Sequence, residues 1–471
     1  MKAERDADVV VAGGGIAGCC AAIASARAGA RTLLVERFGM PGGNAGPGYM
    51  QGGSLVYFDS VVNGQTRLVS EFLLRVAGFR ATAAAPWERE KDVSPEIQRR
   101  LTEQGVTSWD QEPPIASYVF TKMMQEAGVE FLLSAYAGDP VVETGRVTGL
   151  YVETASGRLK VSCRVLIDAT GEAAMAARLG CPMLHYGDAR SRDELEAVER
   201  LRPLFPEYSG AEVARFVGIP SMGGIAIVGG VDSAAYRRHL GEAGTPCKAA
   251  GLDFSRRTVE IEGVGSVEFQ LNRGRESAPG IAGLRLEVKN VLDAGRADVL
   301  SAVELHARIF CFETAQLMRK HTPGCENAYL MFVSPFIGSR GGTCIDGEYY
   351  LNACDVAEQR RFDDAVYVMA LVDDTGRVIG PTCDVPYRIL LPKGVSGLLC
   401  AGRSASHRRL LRTRPNCMLQ GQTAGMAAAL AVETDTAPHA VNIRELQRRL
   451  LEEEFYLGDD ARLRALALRG E

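Results

Sequence analysis

The chain has 471 residues, 46% of them hydrophobic, which is enough for two or three domains with their own cores. Its formal net charge of −5 gives no reason to expect nucleic acid or an anionic membrane as a partner. No apolar run reaches the roughly 20 residues that span a bilayer. Because the charged N-terminus is unlike a signal peptide, we expect a cytoplasmic protein without a membrane segment.

The twelve cysteines are not spaced like ligands of a metal. No C-x-x-C pair occurs, so the sequence predicts no local zinc or iron–sulfur site and no closely spaced redox disulfide. We expect most of these cysteines to be buried thiols that act as small apolar side chains.

The first predicted element is a strand, Val9 to Ala12, that leads directly into glycines with G-x-G-x-x-G spacing. This pattern is typical of the turn between the first strand and the first helix of a Rossmann-like dinucleotide-binding fold. The first glycine makes the tight turn, the second lets the backbone approach a pyrophosphate, and the third lets helix and strand pack closely. The bound phosphates then face the helix N-terminus. The predicted phosphate-binding residues are Gly13, Gly15, Ile16, Ala17 and Gly18.

The second predicted strand, 31–35, ends at Glu36, about 20 residues past the glycines. A carboxylate there can accept hydrogen bonds from an adenosine ribose. The segment E-R-F-G-M-P-G-G continues to a glycine pair, and this combination resembles the FAD-binding fold of the glutathione-reductase type more than an NAD dehydrogenase. The alternative is a glycine-rich turn without a cofactor. The FAD-binding residues expected in this segment are Glu36, Arg37, Gly42, Gly43 and Asn44.

Several elements are predicted between the glycine pair and residue 165. In chain order they are a flavin-side loop (44–59), a charged surface excursion (81–114), a helix (115–128) and meander strands (129–133, 146–153 and 159–161), with turns at Asp139-Pro140 and Ser156-Gly157.

The segment V-L-I-D-A-T-G-E at 165–172 predicts a buried strand that ends in small residues. The small side chains of Ala169, Thr170 and Gly171 let the backbone approach a ligand. In FAD proteins of this type the returning strand passes the cofactor at this point. We therefore add these three residues to the expected FAD site.

Residues 186–332 contain no cofactor motif, and no second G-x-G-x-x-G exists for a nicotinamide cofactor. Electrons must therefore come from the substrate, a diffusible donor or a partner protein. Strand-like runs at 224–228 and 267–271 and a helical pattern at 299–319 predict an inserted, mixed α+β substrate or cap domain. The predicted division of the chain is 1–185 (first part of an α/β FAD-binding domain), 186–332 (inserted domain) and 333–471 (return segment with C-terminal helices).

Motifs in the return segment follow a family order. They are S-P-F-I-G-S-R at 334–340, D-V-P-Y-R-I-L-L-P-K at 384–393, A-G-R at 401–403 and G-Q-T-A-G at 421–425, the last within a predicted helix of small residues over 417–432. With the N-terminal motifs, they resemble FAD-dependent oxidoreductases related to fumarate reductase flavoproteins and to the flavin subunit of heterodisulfide reductase. The sequence departs from that pattern at Thr343, where many members have an arginine, and in the short loop after Arg403.

The resemblance implies which residues surround the flavin. Gly402 and Arg403 would lie beside it, and Arg340 would lie over its other face, near bound substrate. A helix N-terminus near residue 416 would point at the pyrimidine end of the isoalloxazine ring, where its dipole stabilises negative charge by about 0.3–2 kcal/mol. The residues expected at that N-terminus are Asn416, Cys417 and Met418.

The candidates for catalysis are Arg340, His407 and Arg412. Arg340 could clamp a carboxylate or polarise a carbonyl, or belong to a structural ion pair. His407 is the best base by its chemistry, since an unperturbed histidine titrates near neutrality, but a loop histidine can also serve packing alone. Arg412 matches a family arginine counted back from Cys417. Cys417 itself can be a flavin-adjacent thiol or a buried filler.

Together these observations predict an FAD-dependent oxidoreductase that transfers a hydride between a carbon of a small organic substrate and flavin N5. Alternatives are a flavin-dependent monooxygenase, and a non-redox flavoprotein or electron relay that serves a partner protein. A group of arginines would suit an anionic substrate, although a solvated face or pyrophosphate pairing explains it equally well. Its members are Arg403, Arg408, Arg409, Arg412 and Arg414.

Overall fold

The computed structural model describes residues 4–48, 66–78, 113–185, 202–204, 206, 222–289, 295–339, 342–372, 378–407 and 410–470. Most of the predicted flavin-side loop at 44–59 and of the predicted excursion at 81–114 lies outside these ranges. The chain divides into two compact units. Unit 1 consists of Met1–Gly46, Gly53–Gly218 and Thr343–Glu471, and unit 2 consists of Pro47–Gly52 and Ile219–Gly342. The domain boundaries predicted at 185/186 and 332/333 stay predictions.

Helices and strands are interspersed along the described residues. The helices of the described residues are α1 (Ile16–Arg27), α2 (Arg67–Gly78), α3 (Pro113–Glu126), α4 (Ala174–Arg178), α5 (Ser233–Ala243), α6 (Ala297–His321), α7 (Ala353–Ala357), α8 (Arg414–Glu433), α9 (Ile443–Glu452) and α10 (Asp460–Ala465). The strands are β1 (Glu4–Asp6), β2 (Val9–Ala12), β3 (Thr32–Val35), β4 (Glu130–Leu132), β5 (Tyr136–Glu143), β6 (Arg146–Thr154), β7 (Gly157–Ser162), β8 (Val165–Asp168), β9 (Met183–Leu184), β10 (Met222–Gly229), β11 (Lys248–Ala249), β12 (Leu252–Asp253), β13 (Arg256–Ile261), β14 (Gly265–Ala278), β15 (Ile281–Val288), β16 (Tyr329–Val333), β17 (Gly338–Ser339), β18 (Cys344–Ile345), β19 (Ala365–Val372), β20 (Val378–Pro386) and β21 (Leu398–Cys400).

A sheet with the order β21-β8-β2-β3-β4 forms the centre of unit 1. Its strands pair in parallel throughout. Every residue of β2, β3, β8 and β21 is buried, which is why these segments read as continuous apolar runs in the sequence. Parallel strands place their carboxyl ends at one edge, so the glycine loop after β2, Glu36 after β3 and Asp168 at the end of β8 lie at the same edge. The predicted α/β class with a parallel sheet is confirmed.

A second sheet of unit 1, with the order β1-β7-β6-β5, contains the predicted meander. The turn predicted at Asp139-Pro140 is wrong, because both residues lie inside β5. β5 is an edge strand whose register shifts between Ala137 and Pro140, and such a position tolerates a proline, which has no N–H to donate. The chain reverses instead at Thr144-Gly145, where both residues have positive φ (48° and 77°), as a two-residue hairpin turn requires.

Unit 2 is built on an antiparallel sheet with the order β13-β14-β15-β10-β16, and β17 also pairs with β10. The strands predicted at 224–228 and 267–271 lie in β10 and β14, and the helix predicted at 299–319 is α6. One face of α6 is buried in the core of this unit through side chains that recur every three or four residues. They are Val299, Val303, Ala307, Phe310, Cys311, Thr314, Ala315 and Met318.

Helices α1 and α8 pack backbone against backbone in unit 1. A Cβ added at Gly421 would overlap the carbonyl oxygen of Ala17, and one added at Gly425 would overlap that of Ala21. Glycine at these two positions therefore allows an approach that any side chain would prevent. Gly421 faces Ala17, and Gly425, four residues later, faces Ala21, which is also four residues later. The two helices therefore run parallel. Their N-termini lie at the same end of the pair, and at 1.5 Å per residue α8 extends about 9 Å beyond the start of α1.

Candidate functional site

The glycine loop after β2 has a backbone geometry that favours glycine. Gly13 has a positive φ of 100°, and an added Cβ would lie 2.6 Å from the carbonyl oxygen of Ala169. A Cβ added at Gly18 would overlap the carbonyl oxygen of Gly13, so this glycine lets α1 start close to β2. The loop therefore makes the tight turn and the close helix–strand contact that its spacing predicts.

Gly15 and the start of α1 border an open space. Gly15 is the N-cap of α1 without a side-chain capping bond, and no acidic residue lies in the first turn. Apart from its own chain neighbours, no described atom lies within 4 Å of a Cβ added at Gly15. The first turn of any α-helix carries N–H groups without intrahelical acceptors, here those of Ile16 and Ala17 among others. These N–H groups and the positive end of the helix dipole both favour an anion at this point.

Glu36 is 5% exposed and holds the glycine loop in place. Its Oε2 accepts a hydrogen bond from the Gly14 N–H (2.6 Å), and its Oε1 accepts one from the Phe38 N–H (2.9 Å). Burial raises the pKa of this carboxyl group, and the two N–H donors act in the opposite direction. The neighbouring Arg37 guanidinium lies 4.8 Å from the centre of the Phe38 ring. The carboxylate predicted to bind ribose thus also orders the loop, a role that the sequence analysis missed.

The glycine pair after Glu36 folds back onto the first loop. The Gly42 N–H donates to the carbonyl oxygen of Gly14 (2.7 Å), and a Cβ added at Gly43 would lie 2.9 Å from the Gly15 Cα. Asn44 follows in a short helical turn, Gly43–Ala45. The structure thus brings the two glycine motifs together, as expected if both border one ligand.

Asp168 organises the segment after β8, and the sequence analysis did not single it out. Its side chain is fully buried, and burial raises the pKa of its carboxyl group. Oδ1 accepts hydrogen bonds from the N–H (3.1 Å) and hydroxyl (2.7 Å) of Thr170, and Oδ2 accepts from the N–H groups of Met175 (2.8 Å) and Ala176 (3.2 Å). It therefore fixes the turn through Ala169, Thr170 and Gly171 and caps the first turn of α4. The available signal was an aspartate at the end of a buried strand, just before a short helix.

Arg403 forms an ion pair with Glu172, and both side chains are partly buried. Its Nη2 donates to Glu172 Oε1 (3.0 Å), with side-chain exposures of 20% and 23%. Glu172 Oε2 accepts from the N–H of Thr343 (3.0 Å), and the Thr343 hydroxyl lies 3.3 Å from His185 Nδ1. Thr343 is thus tied to Arg403 through the carboxylate of Glu172. Sequence reasoning missed Glu172 because nothing in the chain indicates which cation it faces.

His407 is fully buried, and both of its ring nitrogens have partners. Nε2 lies 2.8 Å from the carbonyl oxygen of Gly402 and 3.2 Å from Gln420 Oε1, and Nδ1 accepts a hydrogen bond from the Leu411 N–H (3.3 Å). Burial lowers the pKa of His407 to about 4, so the ring is neutral at pH 7 with its proton on Nε2. The role of His407 as a base stays a prediction, and these contacts do not favour it. They favour the other reading, a loop histidine that holds the chain between Gly402 and Leu411.

The N-terminus of α8 lies slightly before the predicted place, because the helix begins at Arg414 with Thr413 as its N-cap. Asn416 is buried, its Nδ2 donates to the Thr413 hydroxyl (2.7 Å), and its Oδ1 accepts from the Tyr367 hydroxyl (3.0 Å). Cys417 and Met418 are also buried. Burial raises the pKa of the Cys417 thiol to about 11, which favours its role as a buried filler over a reactive thiol.

The predicted arginines are only partly within the described residues. Arg340, Arg408 and Arg409 lie outside them, so the roles given to these three stay predictions. Arg412 and Arg414 are partly buried at the start of α8. The described site therefore has positive side chains at the positive end of that helix.

A sequence model of the family described as FAD dependent oxidoreductase matches residues 8–450. The chain belongs to this FAD dependent oxidoreductase family. It is therefore an oxidoreductase, and its cofactor is FAD, as the glycine loop and Glu36 predict. A glycine-rich turn without a cofactor would not account for a match of this length.

Solved structures similar to this FAD dependent oxidoreductase are distant from it. They include a geranylgeranyl bacteriochlorophyll reductase-like protein from Thermoplasma acidophilum (12% identity, TM-score 0.43, covering 96% of this chain and 84% of that one). Another is the anhydrotetracycline hydroxylase OxyS from Streptomyces rimosus (13% identity, TM-score 0.43, covering 94% of this chain and 65% of that one). A third is the myxobacterial chondrochloren halogenase CndH (12% identity, TM-score 0.42, covering 96% of this chain and 80% of that one). Likenesses at this level indicate neither the substrate nor the reaction. No curated protein matches the sequence.

The described residues of this FAD dependent oxidoreductase fit FAD. The open space at Gly15, beside an uncapped helix N-terminus, suits the pyrophosphate, and a bulkier residue at position 15 would enter that space. Within the described ranges, no helix is both long and apolar enough to cross a membrane. In the same part of the chain, no group of three or more His, Cys, Asp or Glu side chains is arranged to hold a metal ion.

Proposed function

We propose that this enzyme transfers a hydride between a carbon of a small organic molecule and flavin N5. FAD, when bound, supplies the two-electron acceptor or donor for that reaction. The protein has to position the substrate carbon, stabilise charge on the ring and move the accompanying proton. The finer assignments, to the glutathione-reductase-type fold and to relatives of fumarate reductase and heterodisulfide reductase, belong to this proposal, as does a cytoplasmic location.

The observation that carries the proposal is the parallel pair α1 and α8. Both helices present their positive ends at the same end of the pair, and the start of α8 lies about 9 Å beyond that of α1. We assign the start of α1 to the pyrophosphate and the start of α8 to the pyrimidine end of the flavin. A helix dipole stabilises nearby negative charge by about 0.3–2 kcal/mol, and a reduced flavin carries such charge at N1 and O2.

Two arginines lie at the N-terminus of α8. Arg414 is the first residue of this helix, and Arg412 precedes it. We propose that Arg412 faces the cofactor or an anionic substrate, and that Arg403 is oriented by Glu172 beside the flavin. His407 holds the Gly402 loop and takes no part in proton transfer. The proton carrier is then a group other than His407.

An anaerobic reduction screen tests the proposed reaction. The purified FAD enzyme is mixed with panels of small alcohols, amines and carboxylic acids under argon, and the visible flavin absorbance is followed. Bleaching by one chemical class, with recovery of a two-electron oxidised product, supports hydride transfer. Bleaching only by an external reductant, followed by oxygen uptake coupled to a hydroxylated product, would instead identify a monooxygenase. Reduction by a partner protein without any small-molecule product would identify an electron relay.

Arg340 provides a substrate-side check once a reducing compound is found. The residue belongs to the glycine-rich segment G-S-R-G-G. We expect Arg340→Ala to retain FAD but to slow anaerobic flavin reduction at least about tenfold, or 1.4 kcal/mol in the barrier. Arg340→Lys should rescue poorly if the contact is bidentate. A wild-type rate for the alanine variant would remove Arg340 from the proposed site.

A further inference from the structure

Helix α6 of unit 2 has a second apolar face, opposite the one in the core. Leu305, Ile309 and Phe312 are 59%, 41% and 56% exposed, and their spacing of four and three residues places them on one stripe. A surface helix ordinarily presents charged or polar side chains on the side away from its core. Three large apolar side chains in one row therefore call for a partner surface.

The row is placed symmetrically along the helix. Ile309 is the central residue of Ala297–His321, and Leu305 and Phe312 flank it. The charges at the two ends are opposite: Asp298 is exposed in the first turn, and Arg319 and Lys320 are exposed in the last. A surface with an apolar centre, an acidic end and a basic end is complementary to itself when a second copy is turned end for end.

We propose that this enzyme forms a two-fold symmetric dimer in which α6 of one copy packs antiparallel on α6 of a second copy, with the axis at Ile309. In that register Ile309 contacts its own counterpart, and Leu305 of each copy packs beside Phe312 of the other. Asp298 then lies across from the second copy's Lys320. Such a contact is isologous, because each pair occurs twice, and it closes at two copies instead of growing into a filament.

Charged groups beside the row are already paired within unit 2. Arg308 bonds Glu304 one turn away, and Glu313 bonds Arg257 of β13. Neither pair has to be broken when the apolar row is covered. Asp298 has a local partner in Arg296 (2.5 Å), but its side chain is 68% exposed and remains accessible to a second cation.

The size of the contact sets the strength expected. One helix from each copy buries less than the roughly 1,200 Å² at the lower edge of stable, specific interfaces. We therefore expect a dimer that dissociates in the micromolar range, with Leu305 and Phe312 as the residues on which its affinity depends most.

Sedimentation velocity of the FAD-loaded enzyme, from low to high micromolar protein, tests the dimer. Wild type should shift from one copy to two. Leu305→Glu should remove the shift, because it places a carboxylate inside the apolar row. The matched control is Leu252→Glu, the same change at a leucine of β12 that is 48% exposed, and it should dimerise like wild type. FAD content and melting temperature show that both variants are folded. A single copy at every concentration, or equal behaviour of the two variants, would overturn the proposal.

Cross-linking tests the position of the axis. With diamide as oxidant, two thiols at Ile309→Cys should join into a disulfide-linked dimer, because the two residues face each other across helices about 8–10 Å apart. Gln316→Cys lies on the same exposed face, but the two copies of residue 316 would be about 21 Å apart along the axis, and it should not cross-link. The native thiols give little background, since all but the partly exposed Cys354 are buried. Equal cross-linking of the two variants would rule out this register.

Charge reversal tests whether the acidic end of α6 in one copy faces the basic end of α6 in the other. Asp298→Lys and Lys320→Glu should each weaken the dimer several-fold, and the double variant should recover part of the loss, because the opposite charges then face each other again. Additive weakening in the double variant would exclude the antiparallel orientation. None of these readouts depends on the reaction, so they are independent of the proposed hydride transfer.

Discussion

The core of unit 2 and the surroundings of the glycine loop in unit 1 are stabilised in different ways. Unit 2 packs large side chains, among them Phe269 of β14 and Phe310 of α6, whose ring centres lie 6.4 Å apart. Near the glycine loop of unit 1, glycines take the place of larger residues, so that α8 contacts α1 through Gly421 and Gly425. Polar side chains such as those of Glu36 and His407 are buried in this region. From this difference we expect truncation of side chains to destabilise the core of unit 2, whereas the surroundings of the glycine loop should be most sensitive to added atoms and to changes of charge.

The largest effect is expected from Phe310→Ala. The side chain is 2% exposed, and its removal leaves a cavity, so unit 2 should lose about 3–5 kcal/mol in free energy of unfolding. Phe312→Ala removes the same ring from the exposed side of the same helix and should change stability by less than about 0.5 kcal/mol when measured on dilute protein. Urea unfolding of both variants checks the contrast. Similar losses would mean that large buried side chains do not dominate unit 2.

The second prediction concerns pH and unit 1. An unfolded histidine titrates at 6.5 and folded His407 at about 4, so between these values the unfolded chain binds more protons. The contribution of neutral His407 is complete above about pH 6.5 and is lost as the pH falls toward 4, a change of roughly 3 kcal/mol. His407→Gln should lose this part of the pH dependence, so urea titrations at several pH values should show a smaller change over that window than in wild type.

Glu36→Gln gives the third effect. Both carboxylate oxygens accept from backbone N–H groups, and an amide would place its own N–H₂ against one of them. A lost charge-assisted bond of this kind is worth about 1.5–3 kcal/mol, so the FAD dissociation constant should rise about ten- to a hundredfold. Fluorescence titration of the FAD-free protein measures it. Unchanged FAD affinity would separate Glu36 from the cofactor.

The smallest expected effect is the difference in stability between alanine substitutions at two glycines in helices. Gly421→Ala places a Cβ on the carbonyl oxygen of Ala17 and should cost about 1–3 kcal/mol through overpacking. Gly241→Ala in α5 meets nothing within 4 Å and should stabilise its helix by about 0.5–1 kcal/mol. Thermal unfolding of the two variants gives the signs. A stabilising effect at Gly421 would show that the two helices are not in backbone contact.

The sequence predicts the turn between β2 and α1 well because backbone overlap dictates its glycines. Gly13 and Gly18 face carbonyl oxygens, so only glycine fits, and the spacing alone indicates the turn. Side-chain chemistry is less readable, because it depends on burial that only the fold creates. Histidine is a residue type that commonly acts as a base. Burial among Gly402, Leu411 and Gln420 instead keeps the His407 ring neutral, and its hydrogen bonds to these residues hold the loop in place. Pro140 was misread for a related reason: an edge position in the sheet overrides its preference for turns.

The parallel pair of α1 and α8 also constrains how the chain folds. Ala17 and Gly421 lie in backbone contact although some four hundred residues separate them in the chain, which gives this contact a very high contact order. Loops of that length close slowly, and during synthesis α1 leaves the ribosome long before α8 exists. Until α8 is synthesised, the face of α1 that packs against it, which consists of alanine, cysteine and glycine, is not covered by that helix. Because we assign FAD to the starts of both helices, we expect the enzyme to bind FAD tightly only after α8 has been synthesised and has packed against α1.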